Sequence, residues 1–162
     1  MNHSDAHHLS EVALFEGMSE VAVSELESLG RELSFEAGHT LFERGGAAED
    51  IMILRTGVVE LLFPVQITGV TREVTMESKR AGDLLAWSAM ISPYCFTLSA
   101  RCASDCTITG FGRDALNGFF ETDPKTGYLF MRNLAGVIGR RLQAMQTMWV
   151  RELQASVAKH LE

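Results

Sequence analysis

The chain has 162 residues, of which 46% are hydrophobic and 22% are charged, and this length and composition are ordinary for one globular domain with a substantial core. Its formal net charge of −7 argues against direct nucleic-acid binding, because affinity for a phosphate backbone depends on clustered Lys and Arg side chains. The sequence has no apolar run long enough to span a membrane and no signal peptide, so we expect a cytoplasmic protein.

The first predicted elements are one or two short helices, which follow a tail over residues 1–9 that we expect to be disordered. Apolar residues recur at roughly helical spacing from Val12 to Leu29. Ser19 is suited to the N-cap of the second helix, because a serine hydroxyl accepts a hydrogen bond from a first-turn amide. Gly30 is suited to its end.

After these helices the pattern changes to short β-prone segments separated by glycines. Residues 66–70 are predicted to form a hairpin turn, and Pro64 predicts a sheet edge just before it. Several short strands with regular turn signals are typical of a sandwich, jelly roll or barrel, so we expect a mainly β domain with flanking helices over residues 10–121. The predicted strands cover residues 31–35, 40–42, 51–54, 58–63, 71–76, 96–102 and 106–111.

Neither a metal site nor a catalytic site is expected. Cys102 and Cys106 are predicted to end and begin two strands joined by a turn, and we interpret them as buried reduced thiols because no second ligand cluster accompanies them. His39 is the only histidine in the predicted β region, too few ligands for a metal. No nucleophile elbow and no spaced carboxylate pair is present, so we predict that the protein is not an enzyme.

Residues 82–100 connect the first strands to the last ones. A glycine and an acid open a short helix-like apolar run, which a Ser-Pro break separates from a β-prone segment. We interpret this order as a helix start that faces the beginning of a strand. Unpaired N–H groups at a helix start predict a small pocket for an anion or another ligand.

The last predicted element is a long helix over residues 122–162. Asp123 is a good N-cap and Pro124 suits the first helical position. Apolar residues then step by three and four along one face of the helix. Because the helix outruns the preceding domain, we predict that it pairs with the same helix of a second subunit. The alternative is that it folds back on its own sheet, or frays beyond Met148. The predicted dimer contacts are Leu134, Ile138, Leu142, Met145 and Trp149.

Two segments resemble the cyclic-nucleotide-binding domain family: residues 35–45, FEAGHTLFERG, and residues 51–61, IMILRTGVVEL. Residues 14–18 look like the entry helix of that family, and residues 81–84 look like the start of its phosphate-binding cassette. The resemblance implies a double-stranded β-helix, or jelly-roll-like β-roll, of about eight strands with flanking helices.

The same resemblance implies a long C-terminal dimerisation helix, as in the effector domains of catabolite-activator-type regulators. Those regulators continue into a helix-turn-helix domain. This chain ends at Glu162, so we expect it to lack a DNA-binding domain and to make no direct contact with nucleic acid. Whether the natural gene product carries such a domain elsewhere is left open.

The resemblance also implies a ligand site, whose cassette is degenerate. The family uses a glutamate for the ribose hydroxyl, and an arginine followed by Ser or Thr for the cyclic phosphate. The matching positions here hold Asp83, Tyr94 and Cys95, so the acid is shorter and the positive charge is missing. The candidate ligand-binding residues are Gly82, Asp83, Leu84, Leu85, Tyr94, Cys95, Thr97, Met145 and Gln146.

The function implied is a non-enzymatic regulatory module that senses a small ligand. Losing a charge-assisted Arg–phosphate pair costs about 2–5 kcal/mol, so cAMP or cGMP is expected to bind weakly. Two alternatives stay open: a different ligand without a phosphate, or a dimerisation module whose pocket binds nothing.

Overall fold

The computed structural model describes residues 11–160. The predicted tail over residues 1–9 lies outside the described residues. A short 3-10 turn, Ala13–Phe15, precedes helix α1, Glu20–Leu29. The amide of Ala22 donates to Ser19 Oγ at 3.2 Å and α1 ends at Gly30, which confirms both predicted helix signals.

Within residues 11–160, eight strands form two antiparallel sheets, which face each other around the core. One sheet has the order β1-β8-β3-β6 and the other the order β2-β7-β4-β5. This arrangement confirms the expected mainly β fold with flanking helices, of the jelly-roll type. The strands are β1 Arg31–Phe35, β2 Thr40–Phe42, β3 Asp50–Thr56, β4 Val59–Ile67, β5 Val70–Lys79, β6 Leu84–Leu85, β7 Ser99–Cys102 and β8 Cys106–Gly112.

The β4–β5 hairpin follows the sequence signals closely. Its turn residues Thr68 and Gly69 have φ values of 49° and 81°, the positive values that a tight hairpin turn requires. Pro64 pairs with Glu73 of β5, whereas β7 pairs with β4 only as far as Leu62. The missing N–H of proline therefore lies at a sheet edge, as predicted.

The expected helix start after Gly82 is wrong. Leu84 and Leu85 instead form strand β6 against β3, and a 3-10 helix of four residues, Trp87–Met90, follows. Ala86 has a left-handed backbone conformation, with a φ of 57°, and separates the strand from the 3-10 helix. The pairing with β3 decides the outcome, because two adjacent buried leucines suit either a strand or a helix.

Two further helices close one end of the roll: α2, Arg113–Thr122, and α3, Pro124–His160. Phe130 and Leu134 of α3 are buried with Phe15 and Phe111 in one core cluster. The side-chain amide of Asn133 donates to the carbonyls of residues 14 and 16, at 3.0 and 2.8 Å. These contacts hold the first half of α3 against the body of the protein. Among residues 11–160, no helix is long and apolar enough to cross a membrane.

The apolar stripe on α3 divides into a covered part and an exposed part. Leu134 is fully buried and Ile138 packs against the same core cluster. These two predicted dimer contacts therefore belong to the core of their own chain, which corrects the predicted interface. From Leu142 onward the apolar side chains are about half exposed or more, up to 66% for Trp149.

Cys102 and Cys106 are buried free thiols at the end of β7 and the start of β8, as predicted. Burial, together with the neighbouring Cys106, raises the pKa of Cys102 to about 12. The Cys102 thiol thus stays protonated, as expected of a packing residue.

The N-terminus of α3 provides a pH-dependent contribution to stability. The Thr126 hydroxyl donates to Asp123 Oδ2 at 2.6 Å and the Thr126 amide donates to Oδ1 at 3.1 Å, and both hold the pKa of Asp123 below its ordinary value. The ionised carboxylate therefore stabilises the fold above about pH 4, and this contribution is lost as the pH falls through the lowered pKa. We expect Asp123→Ala to lower the melting temperature by a few degrees at pH 7, with the difference shrinking below pH 4.

Asp123→Asn is the control for this experiment, because it keeps a capping oxygen that does not titrate. Thermal unfolding followed by circular dichroism between pH 3 and pH 7 measures all three proteins. A difference between wild type and Asp123→Ala that is independent of pH would contradict the assignment.

Candidate functional site

A small cavity lies between the segment after Gly82 and helix α3. Its volume is about 20 Å³, which is room for about one water molecule. The rings of Phe42 and Phe96 stack in its wall with centroids 4.0 Å apart. The cavity is lined by Phe42, Leu61, Leu84, Leu85, Ala86, Trp87, Ser88, Phe96, Thr97, Leu98 and Arg141.

An open groove adjoins this cavity and shares Trp87, Thr97, Leu98 and Arg141 with it. Its volume is about 520 Å³, within the usual range for small-molecule sites. The lining comes from β4, β5, the segment after β6 and α3, and it is apolar apart from Thr97 and Arg141. The groove is lined by Phe63, Met76, Trp87, Thr97, Leu98, Ile138, Arg141, Leu142 and Met145.

The predicted site residues of the cassette separate into two groups. Leu84, Leu85 and Thr97 line the cavity, and Thr97 also lines the groove. Gly82 and Asp83 instead form the turn before β6. The amide of Arg80 donates to Asp83 Oδ2 at 2.8 Å, so this carboxylate closes its own turn.

Tyr94 and Cys95 lie outside both the cavity and the groove. The ring of Tyr94 lies under the guanidinium of Arg113, whose Cζ is 4.3 Å from the ring centroid, a cation–π contact. Arg113 itself donates to the carbonyls of Ala48 and Ala89, at 2.9 and 3.2 Å. Cys95 is exposed, and its backbone bridges to Ala47. Both side chains therefore lie at the surface, and Tyr94 lies beside the first residue of α2.

The two predicted positions on α3 point to different sides of the helix. Met145 lines the groove, whereas Gln146 lies with Gln143 and Val150 on another face. Consecutive helical residues are separated by about 100°, so one ligand in the groove contacts Met145 without reaching Gln146.

Arg141 is the site residue that the sequence interpretation missed. It lines both the cavity and the groove, its side chain is 18% exposed, and its Nε lies 3.1 Å from Glu77 Oε2 of β5. The spacing carried a usable signal, because Arg141 follows Ile138 by three and precedes Met145 by four. A charged residue within an apolar helix face indicates a specific partner.

No group of three or more metal-ligating side chains comes together anywhere in residues 11–160. Among those residues, Arg141 is also the only charged side chain that lines the cavity or the groove.

Comparison with known proteins matches residues 32–123 to a family model described as cyclic nucleotide-binding domain. A cyclic nucleotide-binding domain from Methylobacillus flagellatus has a similar fold, with a TM-score of 0.78 at 19% identity over 89% of this chain and 79% of that one. The catabolite activator protein of Thermus thermophilus gives a TM-score of 0.71 at 20% identity, over 85% of this chain and 61% of that one.

A curated relative, Glutaminase 1 of Bradyrhizobium diazoefficiens, is 26% identical over 134 residues. The match includes 83% of this chain and 21% of the glutaminase. The chain therefore spans about a fifth of the length of that curated relative.

Proposed function

The chain belongs to the cyclic nucleotide-binding domain family, and on that premise we propose that it is a regulatory module that senses a small ligand between its β-roll and helix α3. The observation that carries this proposal is the adjoining cavity and groove, which both contain residues of the segment after β6 and of α3. A ligand in this space touches the β-roll and the helix together.

Contact with both parts supports a mechanism for passing on the signal. A ligand that packs against Thr97 and Met145 favours the position of α3 in which both contacts form. The far half of α3 projects from the β-roll and moves with its first half. Ligand binding thus shifts the population of helix positions by the difference in contact energy between them.

We propose that cAMP and cGMP bind this module weakly. Tyr94, which replaces the phosphate arginine of the family, packs on Arg113, and Asp83 accepts from its own turn. Both side chains thus have partners within the protein, which supports the proposed weak binding. The cavity beside Leu84 and Leu85 has room for about one water molecule, which also supports weak binding of a phosphate there.

We further propose a homodimer through the exposed half of α3. The supporting observation is the row of exposed apolar side chains at Leu142, Met145 and Trp149. A row of exposed apolar side chains on one helix face is typical of an interaction surface. A dimerisation module that binds no ligand is the competing hypothesis. The activity of the glutaminase is not carried over, because the match spans only a fifth of that enzyme.

Isothermal titration with cAMP and cGMP tests the ligand proposal. We expect dissociation constants above about 100 μM, because the charge-assisted phosphate contact is missing. Adenosine is the matched control ligand, since it keeps the base and ribose without the phosphate. Submicromolar binding would contradict the proposed weakness, and the absence of heat up to millimolar nucleotide would remove cyclic nucleotides as ligands.

A further inference from the structure

Arg141 of the groove lining belongs to an ion-pair cluster that has more positive than negative charge. Arg141 and Lys79 both pair with the single carboxylate of Glu77. Their side chains are only 18% and 13% exposed. In the described part of the chain, neither cation forms an ion pair with another carboxylate. One net positive charge therefore remains beside an apolar groove, in a chain whose overall charge is −7.

A cation that is largely removed from water is stable only with a charged or hydrogen-bonding partner. Glu77 supplies one negative charge for two cations. The guanidinium of Arg141 has five N–H donors, more than one carboxylate can accept. Its position in the lining leaves it accessible to a molecule in the groove. The geometry therefore provides a place for a second anion next to Arg141.

The other walls of the groove restrict what kind of anion fits. Apart from Arg141, only Thr97 offers a polar side chain, and the remaining lining is aromatic, aliphatic or methionine. A ribose or a purine would lose its hydration there and gain few hydrogen bonds, which is unfavourable. An aromatic or aliphatic group gives up no hydrogen bonds to water when it enters the groove, and it buries apolar area there.

We propose that this groove binds an organic anion with an apolar body, such as an aromatic or aliphatic carboxylate or sulfonate, whose charged group pairs with Arg141. The proposal rests on the ligand-sensing role proposed above, and it names a ligand class other than cyclic nucleotides. Charge complementarity at one end and an apolar lining elsewhere support this occupant. Because Arg141 has N–H donors that Glu77 leaves unused, the ligand pairs with Arg141 beside Glu77 and adds a contact to α3.

Fluorescence titration with anilinonaphthalene sulfonate tests this proposal, with N-phenylnaphthylamine as the matched uncharged probe. We expect Arg141→Gln to weaken sulfonate binding about tenfold or more, and to leave the binding of the neutral probe unchanged. Arg141→Lys should retain part of the affinity, since it keeps the charge but not the planar fork. Glu77→Gln should tighten sulfonate binding, because it removes a nearby negative charge that repels the sulfonate.

Arg140→Gln is the matched control, because Arg140 is exposed and does not line the groove. Circular dichroism and melting temperature establish that each variant is folded. Equal sulfonate affinity in Arg141→Gln and Arg140→Gln would overturn the proposal. The proposal would also be overturned if the Trp149→Glu monomer binds the sulfonate and the wild-type dimer does not. In that case a second copy of the chain covers the groove in the wild-type protein. If cAMP and cGMP do not bind, the expected effects of these variants on sulfonate binding stay the same, so the two proposals can fail separately.

Discussion

Gly57→Ala is expected to lower the free energy of unfolding by about 3 kcal/mol or more, whereas Gly69→Ala should lower it by about 1 kcal/mol. Both glycines have positive φ values, 89° and 81°, so alanine is strained at each. Only Gly57 is also crowded. A Cβ there would lie 2.2 Å from the Asp105 carbonyl oxygen and 2.7 Å from Cys106 Sγ, whereas at Gly69 no atom lies within 4 Å.

The crowding at Gly57 is difficult to relieve because the neighbouring loop is fixed by hydrogen bonds. The amide of Val58 donates to Ser104 Oγ at 3.0 Å, and the amide of Ala103 donates to the Val58 carbonyl at 2.8 Å. Urea denaturation measures the difference as a shift in midpoint at an unchanged slope. Equal losses for the two variants would show that backbone strain alone matters.

The strands and helix caps were predictable because their signals are local. Ser19 and Asp123 cap their helices, and the Thr68–Gly69 turn forms where the sequence places a hairpin. Each of these residues acts on neighbours within a few positions of the chain. Such signals can be interpreted from the sequence alone, because they do not depend on residues that are distant in the chain.

The region after Gly82 was predicted less well because distant contacts determine it. β6 exists because β3 offers it a partner, and the expected helix start does not form. Tyr94 was expected at the pocket, but Arg113, from another part of the chain, provides a stacking partner on the outside. A pattern in one segment does not reveal such partners.

Arg141 illustrates a signal that was present but could not be interpreted alone. Its position on the apolar face of α3 is visible in the sequence. Its role depends on Glu77, which lies far earlier in the chain and whose Oε2 only the fold brings to 3.1 Å from Arg141 Nε.

The exposed half of α3 carries more apolar surface than a solvated helix ordinarily presents. Its large apolar side chains from Leu142 to Val157 are 46–66% exposed. Leu142, Met145, Trp149 and Leu153 step by three and four, so they share one face of the helix. The homodimer proposed above would cover this face with a second copy of the same helix across a two-fold axis, since such a contact is self-complementary.

Trp149→Glu is accordingly expected to raise the dissociation constant of the dimer by about 100-fold or more. The substitution removes a large aromatic contact and places two like charges near the axis, and buried tryptophans dominate the energy of many interfaces. Sedimentation equilibrium at micromolar concentration measures the change. Gln154→Glu is the matched control, because it adds the same charge to the same helix on a face with Gln143 and Arg151, away from the stripe. A wild-type monomer at these concentrations would overturn the dimer, and a dimer unaffected by Trp149→Glu would place the interface elsewhere.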